Sequence, residues 1–274
     1  MRTLILGALL LLPLAAQADD RRCEHAQPRD LQLDLAGVKT VVFEIGANEV
    51  DVRAGTGNRI EGQACASSEN ELARLTLSQR KSGDRLVVTA RREDGALGGL
   101  FFGNHYAYMK LHASVPADVM VQLDIGSGDG SVEGVRAASI DVGSGDGRAS
   151  GIRGEVTAKV GSGDVVVEDA RALHLLSVGS GDATARNIGG PSRVGSVGSG
   201  DLGIRGTRGP VEIGSLGSGD IDLRDIGGGV TVGSIGSGDV GASSVRGDLV
   251  VRSIGSGDVD HDGVTGRVDL PRED

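Results

Sequence analysis

From residue 119 onward, apolar side chains fall at alternate positions in short bursts that restart every 17 to 19 residues. Val165 and Val167, Leu202 and Ile204, Ile221 and Leu223, and Val240 and Ala242 are such pairs, and the positions between bursts of this kind are mixed or polar, as at Arg148, Thr184 and Asp222. A period of two predicts strands. Each burst follows the tetrapeptide Gly-Ser-Gly-Asp, which ends at Asp129, Asp146, Asp164, Asp182, Asp201, Asp220, Asp239 and Asp258. The spacings are 17, 18, 18 and then 19 four times.

Five residues after each Asp stands Gly134, Gly151, Asp169, Asn187, Gly206, Asp225, Ser244 or Gly263, every one a turn former, so a corner is predicted there. Eight after is always Gly or Ala. A second strand then runs back, as in Val211 and Ile213 or Val230 and Val232. Two short strands cannot bury their own apolar face, so successive repeats must stack through parallel ladders. The expected fold is all-β, a parallel β-helix or β-solenoid of 17–19-residue turns, with right-handed winding as the default for parallel crossovers. Eight turns predict a rod about 35 Å long. Gly195-Ser196, Gly214-Ser215 and Gly233-Ser234 break the alternation in the longer turns, which predicts a bulge or sharper corner.

Residues 19–118 lack the tetrapeptide, but alternate over Leu31–Leu35, Val41–Glu44, Glu49–Val52, Leu75–Ser78, Leu86–Ala90 and Tyr108–Val115. They read as a β-rich region that joins and caps the solenoid of residues 119–270, since an open end would expose unpaired strand edges. Asp260-His261-Asp262 and a tail at 271–274 suggest a charged cap at the other end, although residue 261 should face inward.

Residues 1–18 read as a signal peptide: Arg2, an apolar run from Leu4 to Leu14, and Ala16-Gln17-Ala18 with cleavage after Ala18. No later stretch approaches the roughly 20 apolar residues of a membrane helix, so a periplasmic or secreted location is expected. In an oxidising compartment the pair Cys23 and Cys65 reads as a disulfide. Closing that loop contributes about 4 kcal/mol in the chain-entropy model. A net charge of −10 argues against nucleic acid and anionic membranes, leaving a protein or glycan of the cell envelope as the expected partner class.

The aspartate column is the sharpest candidate site. Carboxylates one turn apart repel by roughly 1 kcal/mol per pair even in water. The structural reading lets Ser and Asp accept backbone N–H bonds in Asx-type turns, with the glycines supplying positive φ angles. Arg136, Arg153, Arg171, Arg208 and Arg246, each seven after an Asp, form a basic column that offsets charge if it lies nearby. The alternative reading of Asp129, Asp146, Asp164, Asp182, Asp201, Asp220, Asp239 and Asp258 is a Ca²⁺ ladder, although the β-roll calcium motif has different spacing and occurs twice per turn. No other cofactor is implied. A second candidate is the segment LGGLFFGNHYAY, whose Phe101, Phe102, Tyr106 and Tyr108 form either a cap over the solenoid end or a contact loop.

An enzyme reading, as in glycan-active β-helical proteins, needs nonrepeated acids and bases framed by long loops. The repeat has no such insertions, and His25, His105, His112, His174 and His261 show no metal-ligand spacing. No catalytic residue is assigned.

The repeats VGSGDVVVEDA, LGSGDIDLRDIGG and IGSGDVGASSVRGDL, with the preceding LHASVPADVMVQLDIGSGD, resemble the putative adhesin family of exported β-strand-repeat proteins, related to autotransporter heads of the GIN type, over roughly residues 30–270. The resemblance implies a β-helix and a non-catalytic envelope role, and supplies no binding residues. It departs from an autotransporter in ending at Asp274 with no C-terminal membrane barrel.

Overall fold

The computed structural model describes residues 23–93 and 106–271. The leader at 1–18, Phe101 and Phe102, and the tail from 272 lie outside the described residues. The chain is an all-β parallel solenoid of about eight GSGD turns, each giving one strand to each of two 12-stranded sheets. Sheet 1 takes the strands that follow each Asp, such as Asp146–Ser150, Asp164–Glu168 and Ala183–Ile188. Sheet 2 takes the returning strands, such as Ala137–Val142, Glu155–Val160 and Ala172–Val178.

Parallel in-register pairing stacks like on like. Ala149, Val167, Ala185, Ile204, Leu223 and Ala242 form one inward column, none more than 3% exposed. The predicted alternation therefore holds turn after turn, and burial of these columns supplies the drive to stack.

The lengthening of the repeat from 17 to 19 residues arises from two separate one-residue insertions. Ala138 pairs with Val156, so the turn from Asp146 gains its residue at the corner. The next turn loses that corner residue but gains a bulge, because Ala158 pairs with Leu175 and Lys159 with Ser177, leaving Leu176 unpaired. Later turns carry both, with Gly195, Gly214 and Gly233 succeeding Leu176.

The N-terminal region adds two more turns, in reversed order. It contains β1 (His25–Gln32), β2 (Thr40–Gly46), β3 (Glu49–Ala54), β4 (Arg59–Ala66), a short helix α1 (Glu69–Ala73), β5 (Leu75–Ser82), β6 (Arg85–Arg92) and β7 (Ala107–Val115). The first GSGD turn begins with β8 (Met120–Ile125) and β9 (Asp129–Glu133). The β2–β3 turn stacks directly on β8–β9, whereas the later β6–β7 turn stacks outside β2–β3. Residues 116–119 therefore cross the edge of the β2–β3 turn to reach β8. Beyond β6–β7 the ladders stop running parallel: β5 pairs antiparallel with β6, β4 with β7, and β1 with β4.

Strand β4 escapes the alternation because after Ile60 its inward positions, Gly62, Ala64 and Ala66, carry small residues. A Cβ on Gly62 would overlap the Lys110 carbonyl. Cys23 and Cys65 form a disulfide that ties the start of β1 to β4. At the far end, Val259–Asp262 is a terminal strand of sheet 1. His261, expected inside, is exposed because among the described residues no further sheet-1 strand stacks beyond it. Its neighbours Asp260 and Asp262 place charge on the free edge, a device that discourages strand addition.

Candidate functional site

The solenoid has two narrow edges with opposite chemistry. One edge is the GSGD corner, between each sheet-2 strand and the next sheet-1 strand. Its glycines are required for a reason other than the one expected: none of them has positive φ. The second glycine of each tetrapeptide lies against the preceding turn, and a Cβ on Gly163, Gly181 or Gly200 would overlap the carbonyl of Gly145, Gly163 or Gly181. A Cβ on the first glycine, as at Gly161, would lie 2.6 Å from the Gly143 oxygen. Backbone approaches backbone here so closely that no side chain fits. Positive φ occurs instead five residues after each Asp, at all eight predicted corner positions, including Asp169, Asn187, Asp225 and Ser244 at φ of 56° to 58°.

The aspartates also bond differently from the Asx-turn expectation. From Asp164 to Asp239, each carboxylate accepts the backbone N–H of the next turn's Asp, at 3.0 Å from Asp182, 3.0 Å from Asp201, 2.9 Å from Asp220, 3.1 Å from Asp239 and 2.8 Å from Asp258. The bond runs along the rod rather than within the turn. In the earlier turns the N–H groups of Asp146 and Asp164 reach the carbonyls of Gly128 and Gly145. All eight aspartates and the serines two positions before them are exposed, so this edge displays a hydroxyl and a carboxylate at every turn.

The opposite edge lies between each sheet-1 strand and the next sheet-2 strand, roughly 20 Å away across the strand. Arg136, Arg153, Arg171, Arg208 and Arg246 all stand there, exposed. They do not neutralise the aspartates of their own chain, because the two columns occupy opposite edges. Among the described residues none of the five makes an ion pair. Arg136 donates to the Asp118 carbonyl at 2.9 Å and Arg153 to that of Ala117.

Nonrepeated polar groups gather on the outer face of sheet 1 near the N-terminal end, around a groove of about 580 Å³ lined in part by Glu49, Asp51, Asp129, Ser131 and Arg148. Asp51 accepts from Ser131 Oγ at 2.5 Å on one side and has His112 Nδ1 at 3.2 Å on the other. The carboxylate separates imidazole from hydroxyl, so the histidine does not act on the serine as a general base. On sheet 2, Asp124 lies in register between Glu44 and Asp141, and burial together with these two carboxylates raises its pKa. At the basic edge, Asp248 accepts the backbone N–H and the guanidinium of Arg267, which lowers its pKa. No group of three or more His, Cys, Asp or Glu side chains converges on a metal-sized site among the described residues.

One polar residue that the sequence did not single out organises the N-terminal end. Asn48, 5% exposed, occupies the corner between β2 and β3. Its amide donates to the carbonyls of Ile45 at 2.8 Å and Ala90 at 2.9 Å, and its oxygen accepts the Met109 N–H at 2.8 Å. The segment between β6 and β7 carries no GSGD, and Asn48 bonds to both of these strands, through the Ala90 carbonyl near the end of β6 and the Met109 N–H in β7. Of the predicted aromatic site, Tyr106 and Tyr108 are half-buried with ring centroids 6.2 Å apart, and the Tyr106 hydroxyl accepts the Glu24 N–H at 3.0 Å.

Two continuous ladders, closed at both edges by tight corners, define a repeat protein of the β-solenoid class. Residues 38–246, more than half of the chain, match the Toastrack family, DUF4097, and the chain belongs to that family. Among solved structures, a putative lipid binding protein from Parabacteroides distasonis is similar with a TM-score of 0.52 and 17% identity, covering 90% of this chain and 98% of that one. A putative adhesin from the same organism gives 0.52 and 13%, covering 87% and 97%. At these identities the likeness shows the fold. No curated protein matches the chain.

Proposed function

We propose that this protein is a non-enzymatic, exported scaffold or adhesin-like interaction protein of the cell envelope. One observation carries the proposal: the ladder runs from β9 to Val259–Asp262 with no loop inserted between successive turns, so its exterior displays repeated groups at one-turn spacing. Such a surface suits binding to an extended envelope component better than chemistry at one point. The likeness in fold to a putative adhesin and the Cys23–Cys65 disulfide support an extracytoplasmic setting.

Fractionation of producing cells is expected to place the chain outside the cytoplasm, with an N-terminus at Asp19. Recovery of unprocessed chain in the cytoplasm overturns the reading. Turnover of an acidic polysaccharide that is lost on Asp51→Asn would replace it with an enzyme. The calcium-stabilised rod is the alternative reading of the acidic edge, and chelation separates the two. Chelation is expected to leave the melting temperature unchanged.

A further inference from the structure

We propose that the two edges are complementary, and that copies of this chain associate side by side, the aspartate edge of one against the arginine edge of the next. The proposal rests on the scaffold reading only in assuming that the rod works outside a catalytic cycle. Three observations carry it. The edges differ in the sign of their charge and face opposite directions: eight aspartates line one, and on the other Arg136, Arg153, Arg171, Arg208 and Arg246 outnumber Asp169, Asp225 and Asp248. Both are built on one parallel ladder and share its rise of about 4.8 Å per turn, so a register that aligns one pair aligns the others. Finally, the basic edge is notched to receive side chains: in the later turns arginine alternates with glycine, and Gly227 leaves a cavity of about 340 Å³ between Arg208 and Arg246, with Asp225 on its rim.

The aspartates are free to pair outward. In five turns the carboxylate's contact to its own chain is a backbone N–H, which leaves the second oxygen open to a guanidinium. The net charge of −10 opposes association at long range. At about 0.1 M salt the Debye length is about 10 Å, so repulsion between distant parts is screened while contacting edges still attract. Because each junction joins two different edges, the contact is heterologous and does not close on itself. It extends into ribbons rather than stopping at a dimer.

Analytical ultracentrifugation of the purified mature chain tests this. At about 0.1 M salt the weight-average mass is expected to rise at least two-fold with concentration, and to return to that of a single chain at about 1 M. Two variants separate the edges. The triple change Arg171→Gln, Arg208→Gln and Arg246→Gln disables the basic edge. The triple change Asp201→Asn, Asp220→Asn and Asp239→Asn disables the acidic edge while keeping an oxygen for each N–H. Each variant alone is expected to sediment as a single chain, with circular dichroism confirming the fold. Mixed in equal amounts they are expected to form a 1:1 pair, because the mixture retains one intact edge of each kind. A wild-type chain that stays single at both salts overturns the proposal, as does undiminished association of the arginine variant. Neither result bears on envelope location or on binding to an outside partner.

Discussion

The repeat and the N-terminal region solve the same problem, stacking one corner on another, by opposite means. In the GSGD corners the solution is an absence of side chains, since the glycine backbones lie so close that a single Cβ would collide with the turn below. Where β2–β3 stacks against β6 and β7, one buried amide, Asn48, bonds to both strands. Repetition gives a corner with no room for a Cβ at either glycine. The exception gives a corner that depends on one residue.

The strongest way to break that contrast is Gly181→Val. With the Gly163 carbonyl in its place, the variant is expected to lose more than about 4 kcal/mol, seen as insoluble product or a melting temperature lowered by more than about 10 °C. Its control is Gly203→Ala, on the outer face of sheet 1, where a Cβ has nothing nearer than Thr184 Oγ1 at 4.0 Å. There stability is expected to stay equal or to rise slightly, as strand glycine costs about 0.5–1 kcal/mol. If both glycines tolerate substitution, close approach is not what the tetrapeptide provides.

Asn48→Leu tests the exceptional corner. It takes the Asn48 side-chain bonds from the Ala90 carbonyl and the Met109 N–H, while the Ile45 carbonyl keeps the Asn48 backbone N–H, for a loss of about 2–3 kcal/mol by chemical denaturation. A neutral result would mean that β6 and β7 stack on the β2–β3 corner without the Asn48 amide. Ser192→Ala is expected to act in the opposite direction. Ser192 is fully buried in the sheet-2 core column between Leu173 and Val211, and its hydroxyl has no partner in the structure. Deleting it should add about 1 kcal/mol, a rise of about 2–4 °C in melting temperature.

The smallest effect concerns Asp124, at the join between the two regions. Its pKa is raised in the fold, so its ionised form is disfavoured there, and the penalty is present above that pKa and vanishes once folded and unfolded chains are both protonated. Asp124→Asn should therefore stabilise the protein at pH 7 by a few tenths of a kcal/mol after allowance for solvent screening. The gain should shrink as pH falls toward about 3 in thermal melts. A gain that grows on acidification would reverse the assignment.

Much of the repeat was legible because its information is local. The alternation, the corner five residues after each Asp and the inward residue after it all follow from which side chains a strand or a left-handed corner accepts. What the sequence hid depends on neighbours in space. Nothing in the apolar runs at Val41–Glu44 and Leu86–Ala90 says which stacks nearer to β8, so the reversed order of those turns was not visible. The reach of each Asp to the next turn likewise depends on register between strands 18 or 19 residues apart. Asn48 looked like any loop asparagine, and only its burial between two turns distinguishes it.

The reversed order of the N-terminal turns gives the molecule a direction of growth. β2–β3 cannot be completed on its outer side until β6–β7 has been laid against it, and only then does the chain cross over to start the regular series. From β8 onward every added segment meets a finished template immediately beneath it and needs nothing that has not yet been made. In chain order the nonrepeating turns come first, and each later turn stacks on the surface that the previous one presents.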